Sequence, residues 1–226
     1  MKRFDDSLYS LVDFILALIL IGLSFPLILL VGFLMKVSAP GKPLFYRQKR
    51  YSKNKDIFWI YKFRTMDPGI ENGKPIWSSK VYPPTNKISN FLRVSHIDEL
   101  PQLFNVLRGE MSLVGPRPER PYFAEKFKTI IPNYEERYKV KAGMTGWAQI
   151  GGFRGCSSVK VRTQYDIFYI KNRSLLFNLK ILLLTPFAKP IVSSKTSVDR
   201  DFSYSFDYPC FDKRLQNDKS LPVPVQ

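Results

Sequence analysis

The stretch Phe14–Met35 reads FILALILIGLSFPLILLVGFLM and carries no charge. No other feature narrows the folds open to this chain as much. As a helix it is ~33 Å long, enough to cross a hydrocarbon core of ~30 Å. It has no polar face, so it is not the amphipathic helix of a soluble core. It is too long for the apolar region of a cleaved leader, and no small-x-small site follows it. The segment is therefore expected to lie in a membrane. Two geometries are open. Pro26 removes a backbone donor and kinks a helix, and Ser24 has a hydroxyl to offer a freed carbonyl. One outcome is a kinked span. The other is a re-entrant helix that bends at Ser24 and Pro26 and returns to the leaflet it entered. Lys2 and Arg3 precede the run, and Lys36, Lys42, Arg47, Lys49, Arg50, Lys53 and Lys55 follow it. Basic residues on both flanks favour placing both ends in the cytoplasm.

Charge narrows the partner. The 226 residues hold 35 Lys+Arg against 19 Asp+Glu, a net charge of +16. Such an excess points to a polyanion: nucleic acid, an anionic membrane or a phosphorylated substrate. From Ser193 to the end, basic and acidic residues balance, so residues 1–192 carry the whole excess. The reading divides the chain into a membrane-embedded 1–40, a globular 41–192 and a loosely ordered tail, 193–226. Cys156 and Cys210 make no disulfide scaffold, and their spacing suits no zinc site. With His96 the only histidine, a multi-histidine metal centre and a His-based triad are both disfavoured, and a site with a different base stays open.

The globular part reads as mainly α with a small β-hairpin. Leu44–Arg47 and Ile57–Phe63 are strand-like, with Ser52–Asp56 as the turn between them. Period-two alternation puts Phe58, Ile60, Lys62 and Arg64 on one face. The two basic residues there are either ligand-facing or a solvated edge that guards against strand pairing. Residues 67–90 read as loop. Helices are expected over Pro101–Arg108, stopped by Gly109, behind Pro121, and after Ser157-Ser158. Leu175–Leu184 is a core helix or lies in the membrane interface.

Asp98-Glu99 stands just before the Pro101 helix. Ser95-x-x-Asp98 fits a capping box, which is a sufficient reason for an acidic residue there. The neighbours add a second reading. Arg93 lies five residues earlier, and Gly115-Pro116-Arg117-Pro118 follows, a stiff loop suited to holding an arginine against a phosphate. A carboxylate pair among cations can hold Mg²⁺ and leave one carboxylate as a nucleophile. Gly143-Met144-Thr145-Gly146-Trp147-Ala148-Gln149 is a second candidate. Its glycines allow close backbone approach to a ligand, and Thr145 and Gln149 offer hydrogen bonds. It is not a Walker loop, because no Gly-Lys-Ser/Thr occurs.

Taken in order, Lys62-Phe63-Arg64-Thr65-Met66, the run from Asp98-Glu99-Leu100-Pro101-Gln102 through Gly115-Pro116-Arg117-Pro118, and Gly143 to Gln149 resemble the bacterial sugar transferase family. These are the monotopic polyprenyl-phosphate phosphoglycosyl transferases. The resemblance covers roughly residues 10–190 and is to the short members. The stretches Trp147–Gly155 and Tyr165–Lys180 look most like the hexose-1-phosphate transferring members of capsule and exopolysaccharide pathways. It implies a re-entrant N-terminal helix hairpin, broken at Ser24 and Pro26, plus a catalytic domain with amphipathic helices on the cytoplasmic face of the bacterial inner membrane. It implies Asp98 as nucleophile, Glu99 with Asp98 as Mg²⁺ ligands, and Lys62, Arg93, Arg117 and Arg154 near the phosphates. Arg64 joins them by alternation along its strand. Gly143, Thr145, Gly146 and Gln149 would line the nucleotide-sugar. The partners implied are a UDP-sugar, polyprenyl phosphate and an anionic membrane, with no nucleic acid and with a homo-oligomer compatible. Departures from the usual pattern include Ser52 for a glycine, Val81–Pro84 for an Asp/Arg-rich turn, His96-Ile97 before the dyad, Ala142 for Pro and Gly151 for Asn. Two other classes fit the charge: a membrane-tethered binding protein and a catalytically inactive relative.

Overall fold

The uncharged run forms the middle and end of α1, a helix over Lys2–Ser38. The structure, a computed structural model, describes residues 2–67, 75, 86–154 and 157–188. The tail from 193, the Val81–Pro84 stretch and Gly155 lie outside the described residues. Helix α1 continues through Pro26 as one element. The Ser24 hydroxyl donates to the Leu20 carbonyl at 2.6 Å, not to the Gly22 carbonyl that proline leaves without its helical donor.

One stripe of α1 is covered by the rest of the chain. Asp13, Ala17, Val31 and Met35 are buried, while Leu11, Leu18, Leu23, Leu30 and Phe33 stay exposed. Leu16, Ala17 and Ile21 pack into a cluster with Leu103 and Val106. Ile28, Val31 and Met35 pack with Phe63 and Leu92. Polar contacts fasten the N-terminal end. Asp6 meets Lys53 at 2.8 Å and Arg173 at 3.0 Å. Lys141 donates to the Ser10 hydroxyl at 3.1 Å. Buried Asp13 accepts from the Ser112 hydroxyl at 2.5 Å and the Leu113 amide at 3.2 Å.

The hairpin forms as the sequence suggests. Strand β1, Phe45–Tyr51, runs antiparallel to β2, Ile57–Phe63, with Tyr46 opposite Lys62. A 3₁₀ turn over Lys53–Lys55 joins them, with Asn54 at φ 54°. Phe58 and Ile60 face the core, and Ile57 and Trp59 face outward. Beyond the hairpin lie α2 (Lys87–Val94), α3 (Gln102–Leu107), β3 (Ser112–Val114) and α4 (Pro121–Ile130). They are followed by β4 (Gly143–Thr145), α5 (Trp147–Ile150), α6 (Val159–Lys171) and α7 (Leu175–Leu184). Asn86, Ser158 and Ser174 cap α2, α6 and α7 with their side-chain oxygens, which satisfies amides that a helix start leaves free.

Strands β3 and β4 pair in parallel, a contact the sequence does not announce. Helix α7 is divided along its length. Ile181 and Asn178 are buried, while Leu176, Leu179 and Leu183 remain exposed. It is therefore a core helix on one side and an apolar surface on the other. Phe91 and Val94 of α2 add to that exposed apolar surface.

Candidate active site

Asp98 and Glu99 lie in a 3₁₀ turn, Ile97–Glu99, between α2 and α3. His96 opens the turn at φ 58°, a conformation few residues other than glycine and asparagine adopt. The capping box does not form. The Ser95 hydroxyl donates back to the Phe91 carbonyl at 2.7 Å, closing α2, and α3 starts only after Pro101. Asp98 is buried, and its Oδ1 has no hydrogen-bond partner among the described residues. Capping thus fails as the reason for this carboxylate.

The adjacent carboxylates have opposite surroundings. Glu99 accepts from Lys62 at 2.5 Å and from both terminal nitrogens of Arg117, at 2.6 and 3.2 Å. Burial alone would push Glu99 upward, but Arg117 and Lys62 override it and hold the group well below the usual carboxylate range. For Asp98 burial wins. Lys62, Arg117 and Arg93 offset it only in part, Glu99 adds repulsion, and the carboxyl rises to about 6. One charged, clamped carboxylate beside one poised carboxylate whose Oδ1 has no hydrogen bond among the described residues is a separation of acid–base roles by environment.

Four of the five expected cations converge on this pair. Lys62 and Arg117 touch Glu99. Arg93 donates to the carbonyl and hydroxyl of Thr65, at 3.4 and 3.3 Å, and its charge bears on Asp98. Arg154 donates from Nε to the Gln149 carbonyl at 3.0 Å and bears on Glu99 and Arg117. Arg64 goes elsewhere. It donates to the carbonyls of Pro43 and Phe45, both at 3.2 Å, and stacks over Tyr46. Strand β2 ends at Phe63, so the alternation that would align Arg64 with Lys62 stops one residue short.

The glycine-rich segment sits behind the site. A methyl group on Gly143 would lie 2.0 Å from the Gly115 amide nitrogen, and one on Gly146 would lie 2.2 Å from the Gly115 carbonyl oxygen. The close approach that glycine permits is therefore to another stretch of this chain. The Gly115 amide donates to Thr145, and the Gly143 amide donates to Pro116. The Thr145 hydroxyl is paired with Thr185 at 2.8 Å. These contacts fix the Gly115–Arg117 turn from which Arg117 reaches Glu99. The Gln149 amide is buried with neither end bonded among the described residues.

A buried ionic group escaped the sequence reading. Arg137, 2% exposed, donates to Asp166 at 2.8 Å and to the Arg117 carbonyl at 3.0 Å. Arg50 donates to Glu119 at 3.3 Å and to the Pro118 carbonyl at 3.2 Å. The turn bearing Arg117 is thus held from below by two arginines. Arg162 and Asp166, one turn apart inside α6, were the available signal.

The fold and the site together define a protein with a helix long and apolar enough to cross a membrane and with paired carboxylates among four cations. The chain belongs to the bacterial sugar transferase family, whose profile matches residues 4–190. It is 40% identical over 193 residues to a UDP-glucose:undecaprenyl-phosphate glucose-1-phosphate transferase of Xanthomonas campestris pv. campestris, covering 83% of this chain and 39% of that one. A protein of the same description from Escherichia coli K12 is 39% identical over 180 residues, covering 77% of this chain and 38% of that one. A UDP-N-acetylgalactosamine-undecaprenyl-phosphate N-acetylgalactosaminephosphotransferase of Aeromonas hydrophila is 38% identical over 175 residues, covering 76% and 41%. The chain thus spans about two fifths of the length of these relatives.

Proposed function

We propose that this chain moves a sugar-1-phosphate from a UDP-sugar to a polyprenyl phosphate in two covalent steps. The observation that carries the reading is Asp98, buried with Oδ1 unbonded beside a Glu99 pinned by Lys62 and Arg117. In the first step an Asp98 carboxylate oxygen attacks the β-phosphorus. The bond from that phosphorus to the bridging oxygen breaks, and UMP leaves with the electron pair. In the second step an oxygen of the lipid phosphate attacks the same phosphorus and displaces the Asp98 carboxylate. The product is a polyprenyl diphosphate sugar, and the carboxylate is regenerated. Dividing one displacement into two is the general advantage of a covalent intermediate. Arg117, Lys62, Arg93 and Arg154 bind and orient the pyrophosphate and meet the charge that builds on the leaving group.

Mg²⁺ fits this donor set. Asp98 has a free oxygen, Glu99 has lone pairs beyond those used by its two cations, and a hard cation takes oxygen ligands. Bound there with substrate oxygens, it would neutralise pyrophosphate charge. Among the described residues no three His, Cys, Asp or Glu side chains group to hold a metal alone, so affinity should depend on the substrate. Purified protein in membranes containing polyprenyl phosphate, given radiolabelled UDP-glucose and then a panel of UDP-sugars, is expected to form labelled lipid and release UMP. EDTA should abolish this turnover and Mg²⁺ restore it. No labelled lipid with any UDP-sugar would end the proposal, and full turnover in EDTA would remove the metal from it.

The re-entrant anchor belongs to the same reading. Val31 and Met35 pack with Phe63 at one end of the hairpin, and Asp6 bonds Lys53 at its turn. The charged body therefore touches α1 near both of its ends. A span that put those ends on opposite sides would draw this charged body through the hydrocarbon core. The exposed apolar sides of α1, α2 and α7 are then the surfaces that enter one leaflet, with the body at the cytoplasmic face. With Cys156 and Cys210 replaced by serine, cysteines placed at Lys2 and at exposed Lys49 should be equally protected from an impermeant maleimide in intact cells. Labelling of position 2 alone would establish a span.

A further inference from the structure

His96 makes a contact at this site that the proposed chemistry leaves without a task. Its Nε2 lies 3.1 Å from Nη1 of Arg154. Arg154 stands on an irregular stretch after α5, two residues beyond Gly152 at φ 85°. Among the described residues its guanidinium is held by two contacts: the Gln149 carbonyl on its own segment, and His96 from the turn that carries the carboxylate pair. A guanidinium has only donors, so His96 accepts from it through an unprotonated Nε2.

We propose that His96 is a positioning residue that aims Arg154 at the phosphates of the nucleotide-sugar. The inference rests on the proposed function, because it needs Arg154 to face a pyrophosphate. His96 has a positive φ, and from that turn its ring meets the Arg154 guanidinium. An arginine loses much rotamer entropy when it binds a phosphate, and holding it beforehand removes part of that cost. A neutral acceptor suits the task. A carboxylate there would compete with the phosphate for the guanidinium, whereas imidazole yields one donor and leaves the rest free. Because His96 is exposed, removing it should disturb binding and not the fold.

The test is a double-mutant cycle read by KM and by UDP affinity. His96→Gly deletes the ring while keeping the positive φ unstrained. It should raise KM for the UDP-sugar, and Kd for UDP measured by titration, by about three- to tenfold, with kcat within about twofold. His96→Asn tolerates the same φ and offers an acceptor oxygen, so it should recover a good part of the loss. In an Arg154→Ala background, His96→Gly should change neither constant by more than about 1.5-fold. Equal effects of His96→Gly with and without Arg154 would overturn the proposal. A second readout needs no turnover. His96 is the only histidine, so ¹⁵N-histidine labelling gives one ring to observe. Nε2 should appear unprotonated in the wild type and should shift in Arg154→Ala and on adding UDP. A protonated Nε2 in the wild type, or no response to either change, would also overturn it. If instead UDP binds as expected and no lipid product forms, the catalytic reading fails while the positioning of Arg154 stands.

Discussion

Asp98→Asn is expected to abolish turnover, by about 10³-fold or more, and at the same time to make the protein more stable at pH 7. Burial lifts the Asp98 carboxyl to about 6, above the ~3.9 of an unfolded chain. The folded state therefore holds this proton more tightly than the unfolded state does. Stability is fullest below the unfolded value and declines as pH rises through about 6. At pH 7 the ionised, unbonded carboxylate costs roughly 1–3 kcal/mol, which an amide does not. Thermal unfolding of both proteins in one detergent at pH 5 and pH 7.5 checks the sign. The variant's advantage should grow with pH. Wild-type turnover should climb through the same interval as the nucleophile ionises. Mass spectrometry after incubation with UDP-sugar, without lipid acceptor, should find a phosphosugar on Asp98 and none on the variant. An active, adduct-free variant would refute the two-step scheme.

Gly143→Ala should be the most damaging alanine substitution among the described glycines. Its Cβ would stand 2.0 Å from the Gly115 nitrogen and 2.5 Å from the Thr145 carbonyl oxygen. Both are backbone atoms, one just past β3 and one in β4, and have no rotamer to escape into. Overpacking against backbone should cost about 3 kcal/mol or more, a fall in Tm of roughly 6–12 °C for a chain of this size. The fraction that folds should also turn over slowly, since the displaced Gly115–Arg117 turn carries the clamp on Glu99. Gly22→Ala is the matched control. A methyl there meets nothing within 4 Å, and alanine favours a helix. Equal melting of the two variants would mean that the β3–β4 contact is looser than described.

Part of the candidate site could be read from local pattern, namely the Asp98-Glu99 pair with Arg93 before it and Arg117 in a Gly-Pro turn after it, whereas Arg154 entered only through the family resemblance. Pro101, Gly109 and Pro121 punctuate the helices where the structure places their ends, and the hairpin follows from two alternating runs around a polar turn. The parallel β3–β4 pair was not legible. Ser112, Leu113 and Val114 are all buried, so no alternation marks them, and their partners lie some thirty residues away. Arg64 misled because strand periodicity was extended past the strand. The glycines of 143–146 were legible as places of close approach, but a sequence cannot say whether the approaching group is a ligand or the chain itself. Asp98 and Ser95 have the spacing of a capping box, yet the left-handed His96 lets the chain turn before the helix starts.

The contacts that fasten α1 join residues far apart in the chain. Asp13 meets Leu113 across 100 residues, Ser10 meets Lys141 across 131, and Asp6 meets Arg173 across 167. At a synthesis rate of about 5–20 residues per second, those partners leave the ribosome some 5–30 s after the helix does. On the proposed membrane reading, α1 enters the bilayer by its own hydrophobicity before Ser112 and Leu113 exist to cover Asp13. Assembly on that reading has a fixed order: lipid receives the anchor first, the nascent body folds down onto it, and the proposed catalytic surface is completed at the membrane.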